Sequence, residues 1–222
     1  MQRPGSSLSR RGFVGVAGAA AGAFVANLAG PGRSQTVGLR ETADLITGPF
    51  YPLAKPADRD TDLTLIRGHR RRAAGQMVRL SGRVLNLQGE PVRGALMEIW
   101  QADAQGRYAH PSDPNTGTPL DTDFQGYAVL RTDRDGRYQL TTIKPGPYRT
   151  PRGDMRAPHI HFQVDGRTDR KVTQLFFPGE QFNQQDRHLN SVRRPETLIA
   201  GVESSAGDPV LLARWDIVLT RG

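Results

Sequence analysis

The sequence has 222 residues, 36% of them hydrophobic and 23% charged, with 25 glycines and 16 prolines; this balance is typical of one folded, turn-rich domain and excludes a disordered chain. It contains no cysteine, which excludes disulfides, thiolate metal sites and cysteine nucleophiles and leaves histidine, tyrosine or carboxylate to hold any metal. The formal net charge is +8, but half of it lies in the first 33 residues and the other basic residues are mixed with acids, so we expect no nucleic-acid partner and only mild attraction for anionic substrates.

Residues 1–33 have the pattern of an export signal. Arg10 and Arg11 precede a small-residue apolar run from Val16 to Ala29, as the basic region of a signal peptide precedes its apolar region. The paired arginines resemble a twin-arginine leader, which implies export of the folded protein to the periplasm or beyond. The run has about 14 residues against the roughly 20 that span a bilayer, so a permanent anchor is the weaker alternative and we expect no stable membrane span.

Residues 34–76 are polar and irregular. Gly48-Pro49-Phe50-Tyr51-Pro52 lies in their middle, and the pattern predicts an extended N-terminal arm that crosses a core.

Residues 77–222 show the alternation of apolar and polar side chains that is typical of short β-strands. We predict an all-β fold, an antiparallel β-sandwich with long active-site loops. The first two strands, joined by turn residues 86–90, have the signature of a hairpin. The predicted strands are Met77 to Leu85, Gly94 to Trp100, Tyr127 to Arg131, Tyr138 to Ile143, His159 to Val164, Val172 to Phe177 and Val210 to Leu219.

A short motif occurs twice. Asp103-x-x-Gly106-Arg107-Tyr108 and Asp133-x-x-Gly136-Arg137-Tyr138 both place a tyrosine after an Asp-x-x-Gly turn. In isolation such a motif is usually a turn that directs an aromatic ring into the core. Spacing alone does not separate the two tyrosines.

His159 and His161 form the strongest local signal. Side chains at i and i+2 of a strand share a face, so both imidazoles point one way while Ile160 and Phe162 point the other. Such a pair binds a metal or is simply hydrogen-bonded, and the pair alone leaves both readings open. Tyr148, in Lys144-Pro145-Gly146-Pro147-Tyr148, is either a further ligand or part of an ordinary tight turn.

Taken in order, these motifs resemble the intradiol ring-cleavage dioxygenases, in particular the protocatechuate type. The segments that carry the resemblance are Gly48–Tyr51, Gly82–Val84, Gly94–Asp103, Gly106–His110, Ile143–Tyr148 and His159–Phe162. The resemblance implies a non-haem iron(III) enzyme that opens a catechol ring with O2 to a muconate-type diacid. Its partners would be a small-molecule catechol and O2, with assembly into a homo-oligomer left open.

Residue by residue, the resemblance implies that Tyr108, Tyr148, His159 and His161 are the iron ligands. Phenolate is a hard anionic donor that favours iron(III), which agrees with this set. The resemblance further implies catalytic roles for Tyr148, as a proton acceptor, and for Arg156 and Gln174 beside the ring. It leaves Tyr138 and His110 outside the ligand set.

The sequence departs from the family after the second ligand tyrosine. Arg149-Thr150 stands where the family often has Pro-Trp, so the substrate stays open among protocatechuate, catechol, hydroxyquinol and larger catechols. One rival interpretation is a non-catalytic β-sandwich binding module of the carboxypeptidase regulatory-like type. Gly82–Val84 and the turn at Asp133 resemble the corresponding parts of such modules. Another is a zinc or copper enzyme that uses the same histidines, against which the two tyrosines argue.

Overall fold

The computed structural model describes residues 39–204 and 209–222. The predicted leader, with Arg10 and Arg11, lies outside the described residues. Residues 39–76 contribute no strand, and the bridge between Asp62 and Thr141 is their one ladder-type contact with the sheets. The arm is instead held by bonds from individual backbone groups, such as Leu45 N–H to Val172 O at 2.8 Å.

The prediction of an all-β fold is confirmed. The helical elements among the described residues are two short 3-10 turns, Leu189–Ser191 and Pro195–Leu198, and no helix of this part of the chain is long and apolar enough to cross a membrane. The strands are β1 Met77–Asn86, β2 Leu96–Gln101, β3 Tyr127–Arg131, β4 Arg137–Ile143, β5 Tyr148–Arg149, β6 Met155–Arg156, β7 His159–Asp165, β8 Arg170–Phe176, β9 Gly201–Glu203, β10 Leu211–Arg214 and β11 Ile217–Leu219.

Two main sheets form the layers. One has the order β11-β1-β10-β9 with β4 also paired to β1, the other has the order β3-β2-β7-β8, and β5 and β6 form a separate two-stranded ribbon. The inner side chains of both sheets share one apolar core, which includes Leu80 from β1 and Ile160 and Phe162 from β7, all fully buried. His159 and His161 therefore lie on the outer face of the second sheet.

The predicted hairpin between the first two strands is wrong, because β1 and β2 belong to different sheets. The turn after β1 is closed by the N–H of Asn86 bonding to Glu90 O at 2.9 Å. The chain then crosses between the sheets, where the Thr132 hydroxyl donates to Val92 O and accepts from the N–H of Ala95. The Thr132 side chain, 40 residues from Val92, thus binds the segment that the local pattern assigned to a hairpin.

The predicted strand Val210 to Leu219 is divided into β10 and β11, and both pair with β1 in parallel rather than antiparallel orientation. Trp215 interrupts the ladder. The Trp215 carbonyl approaches the backbone of Gly82 closely. A side chain at Gly82 would prevent this, because its Cβ would lie 1.8 Å from Trp215 O. The Asp216 carboxylate then accepts the N–H of Arg83 at 2.8 Å, which satisfies the donor that the interrupted ladder leaves free.

Candidate active site

The structure brings the four predicted ligands together on the outer face of the second sheet. Ring centroids lie 4.8 Å apart for His159 and His161, 5.7 Å for Tyr148 and His159, and 5.4 Å for Tyr108 and Tyr148. All four side chains are buried, with no more than 5% of any residue exposed. Two phenols and two imidazoles therefore share one dry pocket.

Tyr108 enters this pocket from a turn that Asp103 closes. The Asp103 carboxylate accepts two backbone N–H groups at 2.8 and 2.9 Å, and Gly106 adopts a φ of 82° that favours glycine. Asp133 closes an equivalent turn before Tyr138, with both N–H bonds at 2.8 Å. The repeated motif is therefore a repeated local structure.

The two tyrosine hydroxyls differ in their surroundings. The Tyr138 hydroxyl donates to Trp215 O at 2.6 Å inside the main core. The Tyr108 hydroxyl is buried and has no hydrogen-bond partner among the described residues. Because a buried polar atom normally has a partner, the Tyr108 oxygen is the one of the two that awaits a further group.

Tyr148 is positioned by a close backbone contact. Gly146 donates its N–H to Asp103 O at 2.9 Å, and a Cβ at Gly146 would lie 2.5 Å from Ala104 O. Tyr148 then pairs with Arg156 across the β5–β6 ribbon. The Pro-Gly-Pro sequence thus fixes the tyrosine against the turn that carries Tyr108.

The imidazole of His159 is oriented by the backbone. Its Nδ1 lies 2.6 Å from Ala157 O, so Nδ1 carries the proton and donates it. The Nε2 lone pair then faces the Nε2 of His161 at 3.2 Å. A carbonyl that fixes the tautomer of a histidine in this way is typical of metal-binding histidines.

Ring stacking holds both imidazoles in place. Trp100 lies parallel to His161, with centroids 4.9 Å apart and an interplanar angle of 10°, and Phe176 stacks on His159 at 5.4 Å. Burial lowers the pKa of both histidines well below the ordinary value, and neighbouring positive charge adds to the effect. Both rings are therefore neutral and keep a lone pair for a cation.

The donor set fits a trivalent metal ion. Burial raises the pKa of the Tyr108 phenol well above its ordinary value and also raises that of Tyr148. A phenol in such a place ionises only beside a cation, and a bound metal supplies that cation. Among the described residues no three His, Asp or Glu side chains cluster, so a metal here would need the tyrosine oxygens, which as phenolates are hard anionic donors that suit iron(III).

Arg156 and Gln174, both predicted site residues, also lie at this pocket. The Arg156 guanidinium donates to Gln174 Oε1 at 2.6 Å and approaches the Tyr148 hydroxyl at 3.5 Å. Gln174 in turn donates to Ile46 O at 3.0 Å. Both side chains are buried, so a fixed positive charge stands next to one of the two phenols.

Sequence reasoning missed Asp186, which holds Arg156 in place. Its carboxylate accepts from Arg156 Nε and from the N–H of Ala157, both at 2.9 Å, and from the N–H groups of His188 and Leu189. Asp186 is fully buried. It lies in a polar loop with no motif, so no local signal in the sequence identifies it.

Two aromatic residues complete the pocket and were likewise given no role from the sequence. Phe50, from the arm, stacks on Tyr108 with centroids 4.5 Å apart, and Trp100 covers His161. His110 lies nearby, where its Nδ1 accepts the N–H of Ser112 at 3.1 Å. The position of Phe50 in Gly48–Tyr51 was the available signal.

A cleft of about 680 Å³ opens beside Arg156. Its walls come from the arm, from the β5–β6 ribbon and from the loop that contains Asp186. The lining residues are Ile46, Pro49, Thr150, Pro151, Arg152, Asp154, Met155, Arg156, Arg187, His188 and Ser191. Clefts of this size hold small organic ligands.

Comparison with protein families gives a match to the Dioxygenase family over residues 46–221. The chain is 41% identical over 138 residues to the protocatechuate 3,4-dioxygenase beta chain of Burkholderia cepacia, an alignment that covers 60% of this chain and 57% of the relative. It is 34% identical over 116 residues to catechol 1,2-dioxygenase 1 of Acinetobacter lwoffii, covering 46% and 36%. The chain thus spans little more than half of the first relative and about a third of the second.

Solved structures share the fold. The dioxygenase domain of a dioxygenase and carbohydrate-binding protein fusion from Streptomyces sp. SirexAA-E is 28% identical, with a TM-score of 0.63 over 82% of this chain and 100% of that one. The 3-chlorocatechol 1,2-dioxygenase of Rhodococcus opacus is 23% identical, with a TM-score of 0.65 over 82% and 74%. The second likeness concerns the fold alone.

Proposed function

Because the chain belongs to the intradiol dioxygenase family, we propose that it opens the ring of a catechol with O2, using iron(III), and releases a muconate-type diacid. The observation that carries this proposal is the buried group of two phenols and two imidazoles, in which the Tyr108 oxygen lacks a partner and two Nε2 atoms face each other at 3.2 Å. A non-catalytic binding module has no use for such a group.

Tyr108, Tyr148, His159 and His161 would hold the iron(III). Bound there, the metal would acidify the catechol hydroxyls and make the ring reactive towards O2. The protein contributes a preformed set of donors, two of them phenols that would ionise beside the bound metal. His159 is oriented by Ala157 O, and Tyr108 is oriented by the Asp103 turn.

Tyr148 has a second task, which is to take a proton from the substrate. Burial raises the pKa of its phenol, so its phenolate would be a strong base when it is not bound to the metal. The proton of a catechol hydroxyl then passes to Tyr148 Oη. The positive charge of the Arg156 guanidinium, 3.5 Å from that oxygen, stabilises the phenolate before it accepts the proton.

Arg156 supplies fixed positive charge beside the reacting ring. It cannot rotate away, because Asp186 holds Nε and Gln174 holds the other side of the guanidinium. Such a preorganised cation stabilises negative charge that develops on a substrate without any reorganisation cost. Gln174 is thus a positioning residue for Arg156.

Oxygen uptake by the iron-loaded protein tests the proposal. We expect consumption of one O2 per ring with at least one of catechol, protocatechuate and hydroxyquinol, and a muconate-type product in the mass spectrum. The Tyr138→Phe variant should keep this activity and Tyr148→Phe should lose most of it. The proposal would be contradicted if no catechol caused O2 uptake. It would also be contradicted if the product showed that the ring was cleaved at a bond other than the one between the two hydroxyl-bearing carbons.

A further inference from the structure

The cleft beside Arg156 leads away from the site along the turn that joins β5 to β6. Arg156 lines this cleft and also approaches the Tyr148 hydroxyl at 3.5 Å, so the cleft lies next to the site. The ribbon continues by one further pair, Arg149 with Met155, before the turn begins. At about 680 Å³ the cleft is larger than a single aromatic ring.

The turn itself is a fixed structure. The N–H of Thr150 donates to Asp154 O and the N–H of Gly153 donates to Thr150 O, both at 2.9 Å. Gly153 adopts a φ of 87°, and the Arg149 guanidinium caps its carbonyl at 3.2 Å. Side chains on this turn thus have defined positions along the cleft.

Two polar groups of the turn are without partners. Thr150 Oγ1 is buried and makes no hydrogen bond among the described residues. Arg152 is exposed at the cleft and has no ion pair in the same part of the chain. The other two arginines of the cleft are compensated, Arg156 by Asp186 at 2.9 Å and Arg187 by Asp154 at 3.3 Å.

The cleft also has apolar side chains in its lining. Pro49 and Met155 line the cleft, and Ile46 stands at its edge with 52% of its surface exposed. An exposed large aliphatic side chain at the edge of a cleft suits contact with an apolar part of a ligand. The cleft next to the site therefore combines apolar side chains with one arginine that has no ion pair among the described residues.

We propose that the turn from Thr150 to Asp154 is a subsite for an anionic substituent, and that the substrate is a catechol with a carboxylate on a short carbon chain. The carboxylate lies against the Arg152 guanidinium, and the chain lies on Met155 and Ile46. This inference rests on the proposed function, because it names the substrate of the same site.

The test compares three substrates with the iron-loaded protein: catechol, propylcatechol and dihydroxyphenylpropanoate, which differ in the chain and then in the charge. Arg152→Gln should lower kcat/KM for the acid about tenfold, as expected for one lost charge-assisted bond. It should leave catechol and propylcatechol within about twofold. Anaerobic titration of the visible band should show the same tenfold weakening in Kd for the acid.

Arg79→Gln is the matched control, because it removes one exposed positive charge from β1, in the other sheet. If Arg152→Gln lowers kcat/KM equally for the acid and for propylcatechol, or if Arg79→Gln matches its effect, the subsite is wrong while the proposed function stands. If the unmodified protein opens none of the three rings but opens protocatechuate or hydroxyquinol, the subsite is wrong and the proposed function stands; if it opens none of the five, both fail.

Discussion

At the scale of single residues, most buried polar groups in the described part of the chain have a hydrogen-bond partner, and a few do not. Tyr108 and Tyr138 follow the same kind of turn, yet only the Tyr138 hydroxyl has a partner. A buried hydroxyl without a partner costs free energy in the metal-free protein, whereas a hydroxyl that donates to a buried carbonyl contributes to stability. The two tyrosines should therefore respond oppositely to the same substitution.

We expect Tyr108→Phe to leave unchanged or raise the unfolding free energy of the metal-free protein. Tyr138→Phe should lower it by about 1–2 kcal/mol, because Trp215 O loses its donor. Urea denaturation of the two variants measures the difference. Equal destabilisation by both would show that Tyr108 makes a structural hydrogen bond.

The buried ion pair of Arg156 and Asp186 leads to a second prediction. Asp186→Asn leaves the guanidinium without its counter-charge in a buried position, so unfolding free energy should fall by about 3–5 kcal/mol. The exposed pair of Arg40 and Glu196, with side chains 66% and 57% exposed, provides the control. Glu196→Gln should cost less than about 1 kcal/mol, and a similar cost for both substitutions would contradict the buried role of Asp186.

The sequence predicted correctly that His159 and His161 lie on one face of a regular strand. The period of two put His159 and His161 on one face, and the structure agrees. Asp186 and Gln174 meet Arg156 through contacts between segments 18 to 30 residues apart. No period or spacing encodes such contacts; the resemblance pointed to Gln174, and nothing pointed to Asp186.

At the scale of elements, the arm is attached to the second sheet through Glu98. This buried carboxylate accepts hydrogen bonds from Lys55 Nζ at 2.8 Å, from the Tyr127 hydroxyl at 2.6 Å and from the Tyr51 hydroxyl. Tyr51 also packs on Trp100, which covers His161. The network therefore connects the arm to the ring stack of the site.

This network should make the free energy of unfolding depend on pH in the acid range. Burial by itself raises the pKa of Glu98, but the bonds from Lys55, Tyr127 and Tyr51 outweigh it and hold the pKa below the ordinary value. A depressed pKa stabilises the fold above the ordinary value, near 4.3, and this stabilisation is lost as the pH falls through the folded pKa. Glu98→Gln should thus lower stability at pH 7 and flatten its fall between about pH 5 and 3. Denaturation at several pH values measures this, and parallel curves for both proteins would contradict it.

Strand positions followed from alternation, whereas strand partners did not. Alternation located β1, β3, β4, β7 and β8 to within a few residues. It paired β1 with β2 wrongly, because β2 joins the other sheet, and it missed the parallel pairing of β1 with β10 and β11. Register between distant strands is set by packing over the whole domain, which a local window does not contain.

At the scale of the whole molecule, we propose a division into an export leader at residues 1–33, an arm at 34–76 and a catalytic sandwich at 77–222. The arm belongs to the site in this division, because Phe50 stacks on Tyr108. We also propose that the protein leaves the cytoplasm by the twin-arginine route, which carries folded proteins and thus suits a chain that takes up its metal first.

Replacement of Arg10 and Arg11 by lysine tests the route. We expect the unmodified chain in the periplasmic or external fraction and the double variant in the cytoplasm, because the twin-arginine route reads the arginine pair itself. Substitution of Arg40, which lies beyond the leader, is the control and should leave the location unchanged. Export of the double variant at the normal level would contradict the route.

The visible absorption spectrum of the iron(III)-loaded protein tests the central claim most directly. Phenolate bound to iron(III) gives a red-brown charge-transfer band, so we predict a coloured protein whose band shifts or weakens in Tyr108→Phe and Tyr148→Phe and persists unchanged in Tyr138→Phe. A protein that binds one iron per chain and stays colourless, or a band that responds to Tyr138→Phe alone, would contradict the assignment of the two tyrosines as ligands.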